Sequence, residues 1–193
     1  MNIKLYIKSI LMISFIAFFA ACTSGQKKGD SKANERAMIM DQANQALSDV
    51  TYSPYGKGWQ YKNVIVPPAD FSKWSSQFKE QIIQALESVG DGFLLQVTGH
   101  TCSMGPREAE PENNKKGNIW YSEERAKAVY NELIKQGVSK EKMIFMGVAD
   151  DEPLPAKTPQ DQLNRRVTFK IVEDLNAAEE GTSETEGAET EEN

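Results

Sequence analysis

The chain has 193 residues with 22 basic and 28 acidic side chains, a net charge of -6, and is long enough for one compact domain of about 100–150 residues with appendages. Seven of the acidic residues fall between positions 179 and 192, where there is no Lys or Arg, so the remainder balances at 22 basic against 21 acidic. No basic stripe with interleaved aromatics is present, which excludes a nucleic-acid-binding surface.

Lys4 and Lys8 precede residues 10–21, twelve residues that are apolar apart from Ser14. This run is too short to cross a bilayer and has the layout of a signal peptide over residues 1–21. Ala20 and Ala21 stand directly before Cys22, so Cys22 reads as a lipidated first residue, with an ordinary secretory signal cut nearby as the alternative. Two or three acyl chains, at about 0.8 kcal/mol per buried CH2, anchor stably where one is marginal. A lipidated Cys22 leaves Cys102 without an intrachain partner and excludes a structural disulfide.

Residues 23–35 are polar and read as a tether. Ile39, Ala43, Ala46, Leu47 and Val50 recur at helical spacing, which predicts an amphipathic helix over 36–50. Residues 51–58, with Pro54, Gly56 and Gly58, are turn-rich and mark a boundary between an appendage over 22–58 and a folded domain over 59–174. Residues 60–66 read as a first strand, stopped by Pro67 and Pro68. Phe71, Trp74, Phe78, Ile82, Leu86 and Val89 share one face of a helix over 71–89, with Asp70 or Ser72 placed to cap it and Gly90 to end it. A second strand over 93–98 then implies a crossover between parallel strands.

A second helix is predicted over 122–136, capped by Ser122, with Glu123 and Glu124 in its positive first turn. Ala126, Val129, Tyr130, Leu133 and Ile134 form its buried face, and Gly137 ends it. A third strand follows over 143–148. Residues 166–172 alternate, with Val167, Phe169 and Ile171 opposite Thr168, Lys170 and Val172, as an antiparallel half-exposed strand does. Trp59, Trp74 and Trp120 read as core or boundary anchors. Residues 175–193 form a low-complexity, Glu-rich tail expected to be disordered.

Gly99-His100-Thr101, Asn118, Ser122, Arg125-Ala126, Val129, Leu133, Gly147, Pro153 and Asn164-Arg165-Arg166-Val167 together resemble the signature of OmpA-like peptidoglycan-binding domains. The words around residues 58–63 and 115–129 are more specifically similar to the OmpA-like surface lipoproteins of leptospires. The resemblance implies an α+β fold of order βαβαββ, with helices packed on one face of a mixed sheet. It also implies a non-catalytic, lipid-anchored outer-membrane protein that binds the diaminopimelate of the peptidoglycan stem peptide and ties membrane to wall. In the family an Asp after the Gly-His-Thr-like run holds the ligand ammonium, and the Arg of the Arg-Ala pair holds its carboxylate. By position Arg125 takes the carboxylate, and Cys102 stands where the Asp would be.

Thr101 and Asn118 either organise the loop or donate to the ligand carboxylate. Asp70 and Phe71 are further candidates, with capping and core packing as their structural readings, and so are Asn164 and Arg165, with bracing of the sheet edge as theirs. Three consequences of Cys102 stand open. Glu108, Glu110 or Glu112 on the long insert over 106–117 replaces the missing charge, or the pocket binds weakly or takes another ligand. In the third, peptidoglycan binding is lost and the fold serves as a surface-exposed adhesin or virulence factor with host proteins as partners. The domain faces the periplasm or the cell surface accordingly. His100 and Cys102, two apart, have the residue types of a thiol nucleophile and its base, but no carboxylate is placed to orient the histidine, so no catalytic residue is assigned. One His and one Cys fall short of a zinc set, and neither metal nor cofactor is expected.

Overall fold

The residues that alternate in the sequence form one mixed sheet. The computed structural model describes residues 28–175. Along the chain come α1 (Lys28–Leu47), β1 (Thr51–Tyr52), α2 (Pro68–Val89), β2 (Phe93–Gly99), α3 (Gly117–Lys135), β3 (Met143–Gly147) and β4 (Val167–Glu173). The strands lie side by side in the order β1-β4-β2-β3. β2 and β3 are parallel, and β4 is antiparallel to both of its neighbours. After α1 this is the expected βαβαββ order and an α+β fold. The signal-peptide reading, Cys22 and the tail beyond Leu175 lie outside the described residues. No described helix is long and apolar enough to cross a membrane.

Phe93, Leu95 and Val97 of β2 and Val167, Phe169 and Ile171 of β4 alternate onto the buried face of the sheet. They meet Phe71, Trp74, Ile82, Ala85 and Val89 of α2 and Ala126, Val129, Tyr130 and Leu133 of α3. Ile134 is only partly buried. Tyr52, with no exposed surface, joins the chain start to this core by edge-to-face contacts with Trp59, Phe71 and Trp74 at 5.2–5.4 Å. Such pairs add about 0.5–1.5 kcal/mol each beyond their buried area.

The structure differs from the sequence reading at several boundaries. Residues 60–66 form no strand. Trp59 turns inward and its indole donates to the Ile65 carbonyl at 3.0 Å, which curls the segment through a turn with Lys62 at φ 63. The first strand is instead Thr51–Tyr52, which pairs with β4; β1 and β2 are both antiparallel to β4, so α2 does cross over between parallel strands, with β4 lying between them. α1 begins at Lys28, inside the predicted tether, because Lys32, Ala33, Glu35 and Arg36 are good helix formers that extend a helix already anchored by packing. Ala43, Leu47, Val50 and Tyr52 belong to the core, so the folded unit reaches well before residue 59. Asn44 fixes this docking: its side-chain amide donates to the Ile171 carbonyl at 3.0 Å and accepts from the Ile171 N–H at 2.7 Å, standing in for a strand partner along β4 where β1 has ended.

Neither predicted cap acts as one. Asp70 and Ser72 lie inside α2, whose N-cap is Pro67. Ser122, with Glu123 and Glu124, lies in the interior of α3. That helix starts at Gly117 because carbonyls of the preceding loop accept its first N–H groups, Asn118 to Pro106 at 2.8 Å and Ile119 to Arg107 at 3.1 Å.

α3 is seated by two glycines. Gly99 of β2 and Gly147 of β3 are register partners, and a methyl group on either would overlap the helix, 1.9 Å from the Ser122 carbonyl oxygen or 2.4 Å from Ser122 Oγ. The Ser122 hydroxyl donates to the Ile119 carbonyl and accepts from the Ala149 N–H. With the helix lying directly on the strand ends, the residue one turn further on is held against the loop that follows β2. That residue is Arg125.

Candidate functional site: a buried arginine pair between helix α3 and the loop after β2

The loop after β2 is pinned from three sides: His100 N–H to the Arg166 carbonyl, Thr101 N–H to Ala149 and Ser103 N–H to Pro159. Against it lies Arg125, 1 % exposed. Its Nε donates to the Asn63 carbonyl at 3.1 Å and its Nη1 to the His100 carbonyl at 3.4 Å. Its guanidinium lies 5.6 Å from the Trp59 ring and 5.8 Å from the Tyr121 ring. Arg165, also buried, donates through Nε to the Trp59 carbonyl and through Nη1 to Cys102 Sγ at 3.0 Å. Burial first, and the neighbouring Arg165 cation second, push the Arg125 guanidinium down to about 10, against the opposing pull of Cys102 and Tyr121. It stays charged at neutral pH.

Arg125, Arg165, Lys62, Thr101, Cys102 and Asn118 converge on one small hollow, with Tyr121 beside them. Its room of about 10 Å³ holds at most about one water, and the exposed Tyr61 and Lys62 lie at its edge. The Thr101 hydroxyl is buried and has no hydrogen-bond partner. Asn118 donates to the Cys102 carbonyl at 3.3 Å and, at 3.5 Å, to Asp150. Asp150 itself does not line the hollow and lies 3.9 Å from Arg107.

Of the residues that the sequence singles out, the structure therefore brings together Arg125, Cys102, Thr101, Asn118 and Arg165. It places the others elsewhere. Asp70 accepts from the Tyr52 hydroxyl at 3.1 Å and the Tyr55 N–H at 3.0 Å and lines a separate surface depression. Phe71 is in the aromatic core. Asn164, with no exposed surface, donates to the Thr158 and Pro159 carbonyls and accepts from the Leu154 N–H, which fixes the loop before β4. Glu108 and Glu112 are exposed, and Glu110 is bound to Lys115 at 2.8 Å and Asn113 at 3.1 Å. None of the three lines the hollow.

His100 and Cys102 have different partners. His100 Nε2 meets the Thr168 hydroxyl at 2.8 Å, and the imidazole is pushed down to about 3 by burial and then by Arg166. Glu152 approaches Nδ1 only to 3.7 Å and is largely exposed, so burial decides its charge. Tyr61, Lys62, Met104 and Tyr121 line the hollow and are absent from the sequence reading. Tyr121 stands one helical turn before Arg125, a spacing that could have found it. Lys62 reaches the hollow only through the 60–63 turn, for which the sequence carries no signal.

A profile of the OmpA family matches residues 71–166, a span that contains α2 from Phe71 onward, all of α3 and the loop bearing Thr101 and Cys102. No curated protein matches the chain. Among solved structures, the chain is similar to a putative MotB-like protein from Desulfovibrio vulgaris, at 14% identity over 72% of this chain and 96% of that one, with a TM-score of 0.50. It is also similar to the peptidoglycan-associated lipoprotein from Burkholderia pseudomallei (18% identity, 69% and 99% covered, TM-score 0.46) and to the OmpA-like domain of FopA1 from Francisella tularensis (23% identity, 59% and 67% covered, TM-score 0.45). The matched span and the fold agree: residues 71–166 are a domain of the OmpA family.

Proposed function

We propose that this chain is a non-catalytic cell-envelope protein whose OmpA-family domain binds peptidoglycan by seating a stem-peptide carboxylate on Arg125, while lipid on Cys22 anchors it in the outer membrane. The observation that carries the reading is a pair of buried guanidiniums with no carboxylate partner among the described residues, opening on a hollow beside an unpartnered hydroxyl. A buried cation without a counter-ion is unfavourable, and with the exposed Tyr61 and Lys62 at the edge of the hollow drawn aside to make room, a ligand carboxylate taken by the guanidinium supplies the missing charge. The unpartnered Thr101 hydroxyl stands at the same opening to donate to the oxyanion, while Asn118, committed to the Cys102 carbonyl and Asp150, holds the loop beside it. α1 supports the anchoring part in its first turns only: residues 28–35 precede Arg36, the first described side chain to reach the domain, at the Gly92 carbonyl and the Phe93 ring, and add about 12 Å between the domain and a lipid at Cys22.

Co-sedimentation with purified sacculi tests the reading. The parent protein is expected in the pellet and Arg125→Met in the supernatant. Equal pelleting of the two, or a parent that stays in solution, removes the binding role.

A further inference from the structure

The ionisable groups lining the hollow decide which carboxylate it takes. Three cationic side chains reach it, Arg125, Arg165 and Lys62, and among the described residues no Asp or Glu lines it. The acidic groups nearest along the chain have other partners: Asp151 is in a two-pronged pair with Arg107 at 2.6 and 2.9 Å, Glu110 is on Lys115, and Asp150, which stands behind the hollow, accepts from Asn118 at 3.5 Å and lies 3.9 Å from Arg107. The residue facing the guanidiniums from the β2 loop is the Cys102 thiol, bonded to Arg165, and next to it the Thr101 hydroxyl is buried without a partner. A carboxylate entering here meets donors only. An ammonium on the same carbon would enter a site with three like charges and no acid to receive it, and would lose its hydration as well.

We infer that the hollow selects a carboxylate whose neighbouring amine is acylated, and rejects the zwitterionic centre of a free amino acid. This rests on the reading that the hollow is the wall-binding site. In peptidoglycan chemistry two groups meet the description: a diaminopimelate centre whose amine is already cross-linked, and the C-terminal carboxylate of a stem peptide. Cys102 is then the specificity-determining residue, because a carboxylate at that position would supply the acceptor an ammonium needs.

Three synthetic stem tetrapeptides titrated against the full chain by NMR separate the outcomes: one with the side-chain amine of diaminopimelate free and its C-terminus amidated, one with that amine acetylated and its C-terminus free, and one both acetylated and amidated. The acetylated peptide is expected to bind at least about tenfold more tightly than the free-amine peptide, with Cys102→Asp reversing the order. Retention of binding by the peptide that is both acetylated and amidated assigns the cross-linked centre, and its loss assigns the C-terminus. A free-amine peptide that binds the parent as tightly as the acetylated one overturns the inference, whether or not the variant folds. Arg125-dependent pelleting with sacculi alongside that result leaves the wall-binding reading standing. Acetyl-peptide preference without sacculus binding removes the wall role and keeps the ligand class.

Discussion

Replacing Arg125 with Met separates a residue kept for binding from one kept for folding. The guanidinium is held at about 10 against an ordinary 12.5. At about 1.4 kcal/mol per unit, that is roughly 3 kcal/mol by which the fold disfavours its charge. Met keeps most of the aliphatic packing and removes this penalty. Against the gain stand two hydrogen bonds, to the Asn63 and His100 carbonyls, at about 1 kcal/mol each, the cost of leaving those acceptors unpaired, and the contacts on the Trp59 and Tyr121 rings at about 0.5–1 kcal/mol. These nearly cancel. Urea denaturation is therefore predicted to give Arg125→Met a stability within about 1–2 kcal/mol of the parent, while sacculus binding disappears. A loss above about 3 kcal/mol, the range seen when a buried ion pair is broken by removing one partner, would show Arg125 to be a structural strut and refute the reasoning.

The chain's one histidine gives a pH prediction. His100 is held near 3 in the fold and returns to about 6.5 when unfolded, so between these values the unfolded chain binds the extra proton. Its contribution to stability is complete above about pH 7 and is lost as pH falls. Lowering pH from 7.5 to 5.0 is expected to remove about 2 kcal/mol, a slope that His100→Gln should abolish in paired denaturation curves. Gly147→Ala places a methyl group 2.4 Å from the Ser122 hydroxyl and the Glu123 nitrogen and is expected to cost roughly 3 kcal/mol. Gly99→Ala, whose methyl group would lie 1.9 Å from the Ser122 carbonyl oxygen, is expected to cost at least as much; lowered melting temperatures in both variants check the seating of α3. Cys22→Ser is predicted to move the protein from the detergent phase to the aqueous phase on extraction of cells, and detergent partitioning unchanged from the parent would contradict lipid anchoring.

The parts of the fold with strong periodicity were legible in the sequence: α2, α3, β2 and β4 carry their buried faces at spacings of 3.6 or 2. β1 was not legible, because two residues beside Pro54 and Gly56 read as a turn, and only the long-range pairing of Thr51 with Thr168 and of Tyr52 with Val167 makes them a strand. The segment over 60–66 shows the converse. Its composition suits a strand, but burial of Trp59 and the bond from its indole to Ile65 curl it over the end of α3. At the site, Arg125, Cys102 and Thr101 were legible from motif position. The division between Asn164 and Arg165 was not, since adjacent residues of one polar run face a bracing loop and a hollow respectively. Asp70 misled for a simple reason: an acidic residue at a helix start is expected to cap it, and its hydroxyl partner Tyr52 lies 18 positions away.

The central claim is that a wall carboxylate docks at the Arg125 hollow, and an NMR titration of the folded chain with soluble muropeptides tests it most directly. The account predicts that the largest amide and arginine side-chain shifts fall at Thr101, Cys102, Asn118, Arg125 and Arg165. Muropeptide binding that leaves these signals unmoved, or shifts centred on the Asp70 depression instead, would contradict it.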